Sequence, residues 1–190
     1  MQVLMIRHGR PETRSGDSDP NLCDAGWQQA RELSAFLSRS GVARLVSSPL
    51  RRALQTAEPT AQALGIDVTV IDGLAEADRF GPNYRSVEEL RREPGTWEQF
   101  LADPVSSLGA DPVAFRRDVL GAFESVLAGD AAKVAVFTHG LPINVVLSHA
   151  LGLDRITHFV PHYCSISRLN GDSLDHLSVV SINETTFLGR

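Results

Sequence analysis

The sequence predicts a three-layer α/β/α sandwich with a mostly parallel central sheet and an antiparallel edge strand. Three observations carry that expectation. Short apolar runs bounded by Gly, Pro or Asp recur along the 190 residues, as strands buried on both faces do. Segments with apolar residues at helical spacing alternate with them, as βα units require. The last two strand-like runs are joined by a short turn around Asn170-Gly171, which suits an antiparallel pair.

Residues 2–6 (Q-V-L-M-I) form the first expected strand. Residues 10–23 are rich in Pro, Gly, Ser and Asp and read as a loop. Asp24 is placed to cap a helix through residue 39. Trp27, Ala30, Leu33, Ala35, Phe36 and Leu37 lie on one broad face of it, and Gly41 follows as a stop. Residues 43–47 are a second strand. Ser48-Pro49 then opens a helix to about residue 64, with Pro59 placed to kink it and Gly65 to end it. Residues 67–71 form a third strand.

Residues 77–111 are less regular. Gly81-Pro82, Pro94-Gly95 and Asp103-Pro104 punctuate short helical pieces at 86–93 and 96–102. This stretch reads as a helical insertion, a lid, within one domain spanning residues 1–190. A helix over 112–128, a strand over 133–138 and a helix over 141–151 follow. Strands at 163–169 and 177–182 complete the order.

Composition narrows the partners. Hydrophobic residues make up 43 % and charged residues 22 %, a globular balance. Lys+Arg 18 against Asp+Glu 23 gives a net charge of -5, which disfavours nucleic acid and anionic membranes. Lys133 is the only lysine, so position rather than residue type must single out a functional arginine. Cys23 and Cys164 have no disulfide or zinc spacing and read as reduced residues of a cytoplasmic protein. The first residues lack the basic segment of a leader peptide, and no apolar run approaches the ~18 residues of a membrane helix.

The polar residues that interrupt this pattern gather at strand ends. L-M-I-R-H-G (4–9) and V-A-V-F-T-H-G (134–140) both end in His-Gly. In open α/β sheets ligands bind beyond the carboxyl ends of parallel strands. If the first and fourth strands are neighbours, His8 and His139 converge there, and the helix after Gly140 aims N–H groups at an anion. The second strand delivers Arg51 and Arg52, whose forked donors suit phosphate oxygens. The third delivers Glu76, with Asp78 close behind. Cations, two histidines and one carboxylate around an anion point to phosphoryl transfer without a metal or cofactor.

These motifs resemble the histidine phosphatase superfamily, in the branch of the cofactor-dependent phosphoglycerate mutases and related phosphatases. R-H-G at 7–9 is similar to its signature. D-P-N-L-C-D-A-G-W-Q-Q-A from Asp19 resembles D-x-P-L-T-x-x-G-x-x-Q-A. S-P-L-R-R-A-L-Q-T-A from Ser48 resembles S-x-L-x-R-A-x-x-T-A and aligns Arg52, not Arg51, with the family arginine. L-A-E from Leu74 and T-H-G from Thr138 stand where the family has its acid and its second histidine. These motifs occur in the family's order.

The resemblance implies a phosphoglycerate mutase-like fold and concrete roles. His8 attacks phosphorus from a neutral nitrogen. Arg7, Arg52, a protonated His139 and Gly140 hold the phosphoryl oxygens. Glu76 protonates the leaving oxygen and then deprotonates water, with Asp78 as the competing acid, since Gly81 follows Glu76 by five residues rather than the family's four. Arg10, Arg14, Asn21, Arg79 and Tyr84 are candidate substrate contacts at the pocket mouth. His158 and His162 read as loop histidines near the pocket, because Pro161 breaks any helical metal spacing.

The resemblance favours a phosphatase over a mutase. Arg10 follows R-H-G where mutases carry Glu or Gln, and residues 77–111 hold nothing like R-R-S-Y-D-x-x-P-P-P. The expected ligand is a small phosphorylated substrate or inorganic phosphate. A non-catalytic phospho-ligand-binding module is the alternative, and a homodimer is the default assembly.

Overall fold

The computed structural model describes residues 1–13, 17–81 and 83–189; Arg14 and Pro82 lie outside them. Six strands form one sheet in the order β3-β2-β4-β1-β5-β6. They are β1 (Gln2–Arg7), β2 (Arg44–Ser47), β3 (Val68–Val70), β4 (Lys133–Thr138), β5 (Ile166–Asn170) and β6 (Ser178–Glu184). The first four run parallel, and β1 and β4 are neighbours. The antiparallel edge holds two strands, since β5 pairs with β1 and β6 pairs with β5.

Strand periodicity sorts side chains between two cores. Val3 and Met5 of β1 join Val134 and Val136 of β4 on one face. There they meet Val119, Phe123 and Val126 of α6 (Pro112–Leu127) and Ile143 and Val146 of α7 (Gly140–Leu151). Leu4 and Ile6 point the other way, with Ala135 and Phe137. Leu33 and Leu37 of α1 (Asp24–Leu37) and Ala57 of α2 (Arg51–Leu64) cover that face. Residues adjacent in β1 thus belong to opposite layers.

Several element ends differ from expectation for local reasons. Asp24 is the first residue of α1, and Cys23 holds the capping position without a side-chain bond. α2 begins at Arg51 rather than beside Ser48. The Ser48 hydroxyl instead accepts from the Leu50 N–H at 3.2 Å and lies 2.7 Å from His139 Nε2, so it shapes a turn before the helix. α2 runs through Pro59 to Leu64, and Gly65 closes it at φ 64°. β5 starts at Ile166, after Cys164 takes a left-handed φ of 56°.

Among the described residues the 77–111 segment contains one 3-10 turn (Ala77–Phe80) and three short helices: α3 (Val87–Leu90), α4 (Thr96–Ala102) and α5 (Pro104–Ser107). The last was not expected; Asp103 caps it by accepting from the Ser106 N–H at 3.1 Å. These pieces have their own small core of Ala77, Leu90, Phe100 and Val105, joined to the body by Leu141 of α7. Among the described residues no helix is long and apolar enough to cross a membrane.

Two glycines test this packing. A Cβ on Gly26 would sit 2.1 Å from the Arg10 carbonyl oxygen, pressing α1 into the segment after β1. Gly26→Ala should cost about 1–3 kcal/mol, read as a lower melting temperature. A Cβ on Gly121, at an exposed position of α6, meets nothing within 4 Å. Gly121→Ala should therefore raise stability by roughly 0.5–1 kcal/mol through helix propensity.

Candidate active site

The parallel register of β1 and β4 sets Arg7 opposite Thr138. The next residues are His8 and His139, whose ring centroids lie 5.0 Å apart. Both are buried, as are Arg7 and Arg52. Gly9 leaves the strand through close quarters: its N–H donates to Thr56 Oγ1 at 2.8 Å, and a Cβ there would lie 2.8 Å from the Gly26 carbonyl.

Hydrogen bonding fixes the His8 tautomer. Nδ1 lies 2.8 Å from the Gly9 carbonyl oxygen, which can only accept, so Nδ1 carries the hydrogen. Nε2 is left with its lone pair. Burial, then the Arg52 and Arg7 charges, push His8 well below the ordinary histidine value. His8 is therefore neutral, with an unprotonated Nε2.

Burial, Arg52, His8 and Arg7 push His139 down in the same way. This differs from the expected protonated ring, because the charged neighbours in contact with it are cations. A phosphate dianion in the cavity would reverse that sign. His139 Nε2 meets the Ser48 hydroxyl, and its buried Nδ1 has no protein partner.

The arginines are held by their outer nitrogens. Arg7 Nη1 donates to the Pro161 carbonyl at 2.5 Å, and its guanidinium lies 4.1 Å from the Tyr163 ring centroid. Arg52 bridges Asp78 at 3.0 Å and Asp19 at 3.4 Å, and lies 4.7 Å from the Tyr84 ring centroid. The Nε atoms of both, like His139 Nδ1, are buried without a partner. Two buried guanidinium N–H donors and one imidazole nitrogen thus have no hydrogen-bond partner on the protein. Arg51 is exposed and pairs with Asp17 at 2.9 Å, so the structure brings Arg52 and not Arg51 to the site.

Glu76 stands on the same rim. Oε1 accepts from the Ala77 N–H at 3.1 Å and Oε2 from the Leu141 N–H at 3.2 Å, in the first turn of α7 beside Gly140. Burial and then the Asp78 charge push Glu76 up to about 7. Burial raises Asp78 too, but Arg52 opposes it by direct contact. Glu76, with no cation in direct contact, is the carboxyl of the two that burial raises to near neutrality. The arrangement sets a neutral imidazole, a carboxyl raised to about 7 and two buried guanidiniums around one cavity.

The cavity of about 250 Å³ is lined by Arg7, His8, Arg52, Glu76, Asp78, Tyr84 and Gly140, among others. His158 also lines it. Arg10, Asn21 and Arg79 do not. Arg10 is exposed, and its N–H donates to Gln29. Asn21 is tied into the loop by Gln55, at 2.9 Å. Arg79 turns toward Asp72 and a separate open groove against α6. Tertiary contacts displaced these three, which were placed by sequence proximity alone. Sequence reasoning missed Ser48 as the partner of His139, Thr56 as the support of Gly9, and Asp19 beside Arg52. All three lie inside the motifs quoted above. Tyr163 and Asn144 carried no motif signal.

The α/β sheet thus presents paired histidines, two buried arginines and a protonatable carboxyl around the carboxyl ends of its parallel strands. The histidine phosphatase superfamily (branch 1) matches residues 3–185, and the chain belongs to that family. It is 33 % identical over 203 residues to a bifunctional protein of Mycobacterium tuberculosis, covering 98 % of this chain and 55 % of that one. The chain thus spans about half the length of the curated relatives matched there. It is 29 % identical to the probable phosphoglycerate mutase GpmB of Proteus mirabilis, over 90 % of this chain and 85 % of the relative. A solved mycobacterial glucosyl-3-phosphoglycerate phosphatase shares the fold at a TM-score of 0.81 and 19 % identity, over 97 % of this chain and 99 % of that one. The Entamoeba histolytica phosphoserine phosphatase, solved with 3-phosphoglyceric acid, shares it at 0.75 and 24 %, over 98 % of both chains. The sheet and its flanking helices are therefore the phosphoglycerate mutase-like fold.

Glu76 gives a stability test. An unfolded chain loses the Glu76 proton near 4.5, and the folded chain near 7. Between those values the folded state binds the extra proton, so stability falls as pH rises across this window. Glu76→Gln should flatten that dependence and be the more stable form at pH 8, by on the order of 1 kcal/mol or more. Denaturant melts of both proteins from pH 4.5 to 8 would show it; parallel curves would refute the shifted carboxyl.

Proposed function

We propose that this protein is a phosphomonoesterase that transfers the phosphoryl group of a small phosphorylated metabolite to His8 and then to water. The unprotonated, buried Nε2 of His8 is the observation that carries this reading. A neutral imidazole at the carboxyl end of a parallel strand, beside two guanidiniums, is arranged to attack phosphorus rather than to bind charge.

His8 Nε2 forms the bond to phosphorus as the bond from phosphorus to the ester oxygen breaks. Glu76 gives its proton to the departing oxygen, so an alcohol leaves and Glu76 becomes a carboxylate. Water then attacks the phosphohistidine and gives a proton to Glu76. The N–P bond breaks, inorganic phosphate forms, and neutral His8 is restored. Arg7, Arg52, Gly140 and a His139 that gains its proton from the phosphate's field hold the three oxygens. Those groups supply the positive charge that a metal supplies in other phosphotransferases, so the reaction is proposed to need none. Asp78 acts through Arg52, which it anchors. The chain is proposed to work as one domain, with the 77–111 segment as its lid.

Phosphoryl exchange of the mutase kind would need a second cationic site to hold a bisphosphate while it reorients. In the cavity beyond Arg7 and Arg52, Arg85 is committed to Glu93 at 2.5 Å, Arg91 lies flat on the Trp97 ring, and the remaining walls are largely apolar. That favours water over a second phosphoester as acceptor.

Wild-type protein mixed briefly with a phosphate ester and quenched in alkali should carry phosphate on His8, read by peptide mass spectrometry. His8→Ala should lose the adduct and turnover by on the order of 10⁴-fold or more. Glu76→Gln should still form the adduct from an aryl ester, whose leaving group needs no acid, but slow turnover of alkyl esters about 10²–10⁴-fold. A His8→Ala protein that hydrolyses esters at the wild-type rate would refute the nucleophile. Exchange on 3-phosphoglycerate that depends on a bisphosphate primer would favour a mutase instead.

A further inference from the structure

The cavity does not end at the phosphoryl cradle. Beyond it, Val87, Leu90, Trp97, Phe100, Leu108 and Phe159 wall a second chamber of the same space. Leu90 and Phe100 are buried in the small core of the 77–111 segment, with Leu141 of α7. Trp97 stacks on Phe100 at 5.5 Å between ring centroids and 17° between planes. The Arg91 guanidinium lies over the same indole, 4.6 Å from its centroid.

Apart from Arg91, which lies on the Trp97 face, the charged and polar groups at this end have partners on the protein. Its lining carboxylates are Glu76 and Asp78, both at the phosphoryl end. Arg85 is bonded to Glu93, the Thr157 hydroxyl donates to the Leu101 carbonyl at 3.1 Å, and His158 Nε2 lies 2.7 Å from the Arg155 carbonyl. An ammonium on the leaving group would find no carboxylate outside the pair that serves the reaction.

Asn144 is the exception. It lies one turn beyond Gly140 on α7, is 3 % exposed, and lines the chamber. Its amide nitrogen donates to the Gly140 carbonyl at 3.1 Å and the Phe159 carbonyl at 3.0 Å. Turning the amide over would set its oxygen against two other acceptors, so its orientation is fixed. Oδ1 is then a buried acceptor without a protein partner.

We propose that the substrates are phosphate monoesters of bulky, uncharged, largely apolar alcohols, of aromatic or cyclic alkyl type. The ring sits against Trp97, Phe100 and Leu108, and a single donor on it meets Asn144 Oδ1. This rests on the phosphomonoesterase reading and names the substrate class of that site. Small polar esters such as phosphoserine or glycerol 3-phosphate leave the apolar wall uncovered and set an ammonium or hydroxyls against it.

Alkyl esters test this without the bias of an activated leaving group. The full chain would be assayed for phosphate release from 2-phenylethyl phosphate, 2-cyclohexylethyl phosphate, ethyl phosphate, glycerol 3-phosphate and phosphoserine. The two ring-bearing esters should exceed ethyl phosphate in kcat/KM by roughly 10- to 100-fold, and the two polar esters should not exceed it. Trp97→Ala should narrow the ratio of 2-phenylethyl to ethyl phosphate. The ratio is the readout because a partly folded variant lowers both rates alike. Hydrolysis of the series with equal kcat/KM, or with the polar esters preferred, overturns the proposal and leaves the phosphomonoesterase reading standing. If no ester is hydrolysed and no phosphohistidine forms, that reading fails and the proposal falls with it.

Discussion

Buried positive charge without full compensation is the constraint on which this structure depends. Arg52 is wholly excluded from solvent and shared between Asp78 and Asp19, yet its Nε has no partner. Among the described residues no carboxylate bridges Arg7; it is held by the Pro161 carbonyl and the face of Tyr163. Leaving guanidinium donors unmet in a low-dielectric interior is costly. A folded chain tolerates it only where the surrounding packing is strong, and here the two cores on either side of β1 and β4 provide that packing. The arrangement is complementary to an oxyanion that the protein itself does not contain.

The same burial tunes the acid and the nucleophile in opposite directions. Removing water disfavours whichever form is charged. For His8 that is the protonated ring, so burial and the two arginines keep Nε2 free. For Glu76 it is the carboxylate, so burial and Asp78 keep a proton on it near neutrality. One physical cause thus separates the protonation states that the proposed chemistry needs. The N–H of Leu141, bonded to Glu76 Oε2, works against complete neutrality. It keeps the carboxyl able to give up its proton and take it back.

What could be read from the sequence divides along the same line. Strand positions, their parallel order and the residues at their tips follow from local periodicity, so Arg7, His8, Arg52, Glu76 and His139 could be placed in one crevice. Neighbourhood of β1 and β4 entered only as a condition, because strand order is set by packing across the whole sheet. Side-chain direction was not legible either. Ser48 looks like a helix cap by position, but it faces His139, and α2 starts three residues later. Arg10 and Arg79 sit next to motif residues, yet backbone geometry turns each away. Asn144 is invisible to motif reasoning because its meaning depends on two carbonyls, one of them fifteen residues further along the chain.

The apolar chamber bears on how one carboxyl serves both halves of the proposed reaction. The leaving alcohol and the incoming water must occupy the same side of phosphorus, within reach of Glu76, one after the other. An alcohol held by hydrogen bonds would compete with water for that place and for the Glu76 proton. An alcohol held chiefly by apolar contact does not, because its oxygen has no other partner to keep it there once the bond to phosphorus has broken. The chamber's walls come largely from short helices whose small core meets the sheet layers at Leu141, whereas His8 stands at the tip of β1 and Arg52 on α2. A phosphatase gains from that separation. The phosphoryl end must stay rigid through both steps, whereas the alcohol end must open between them.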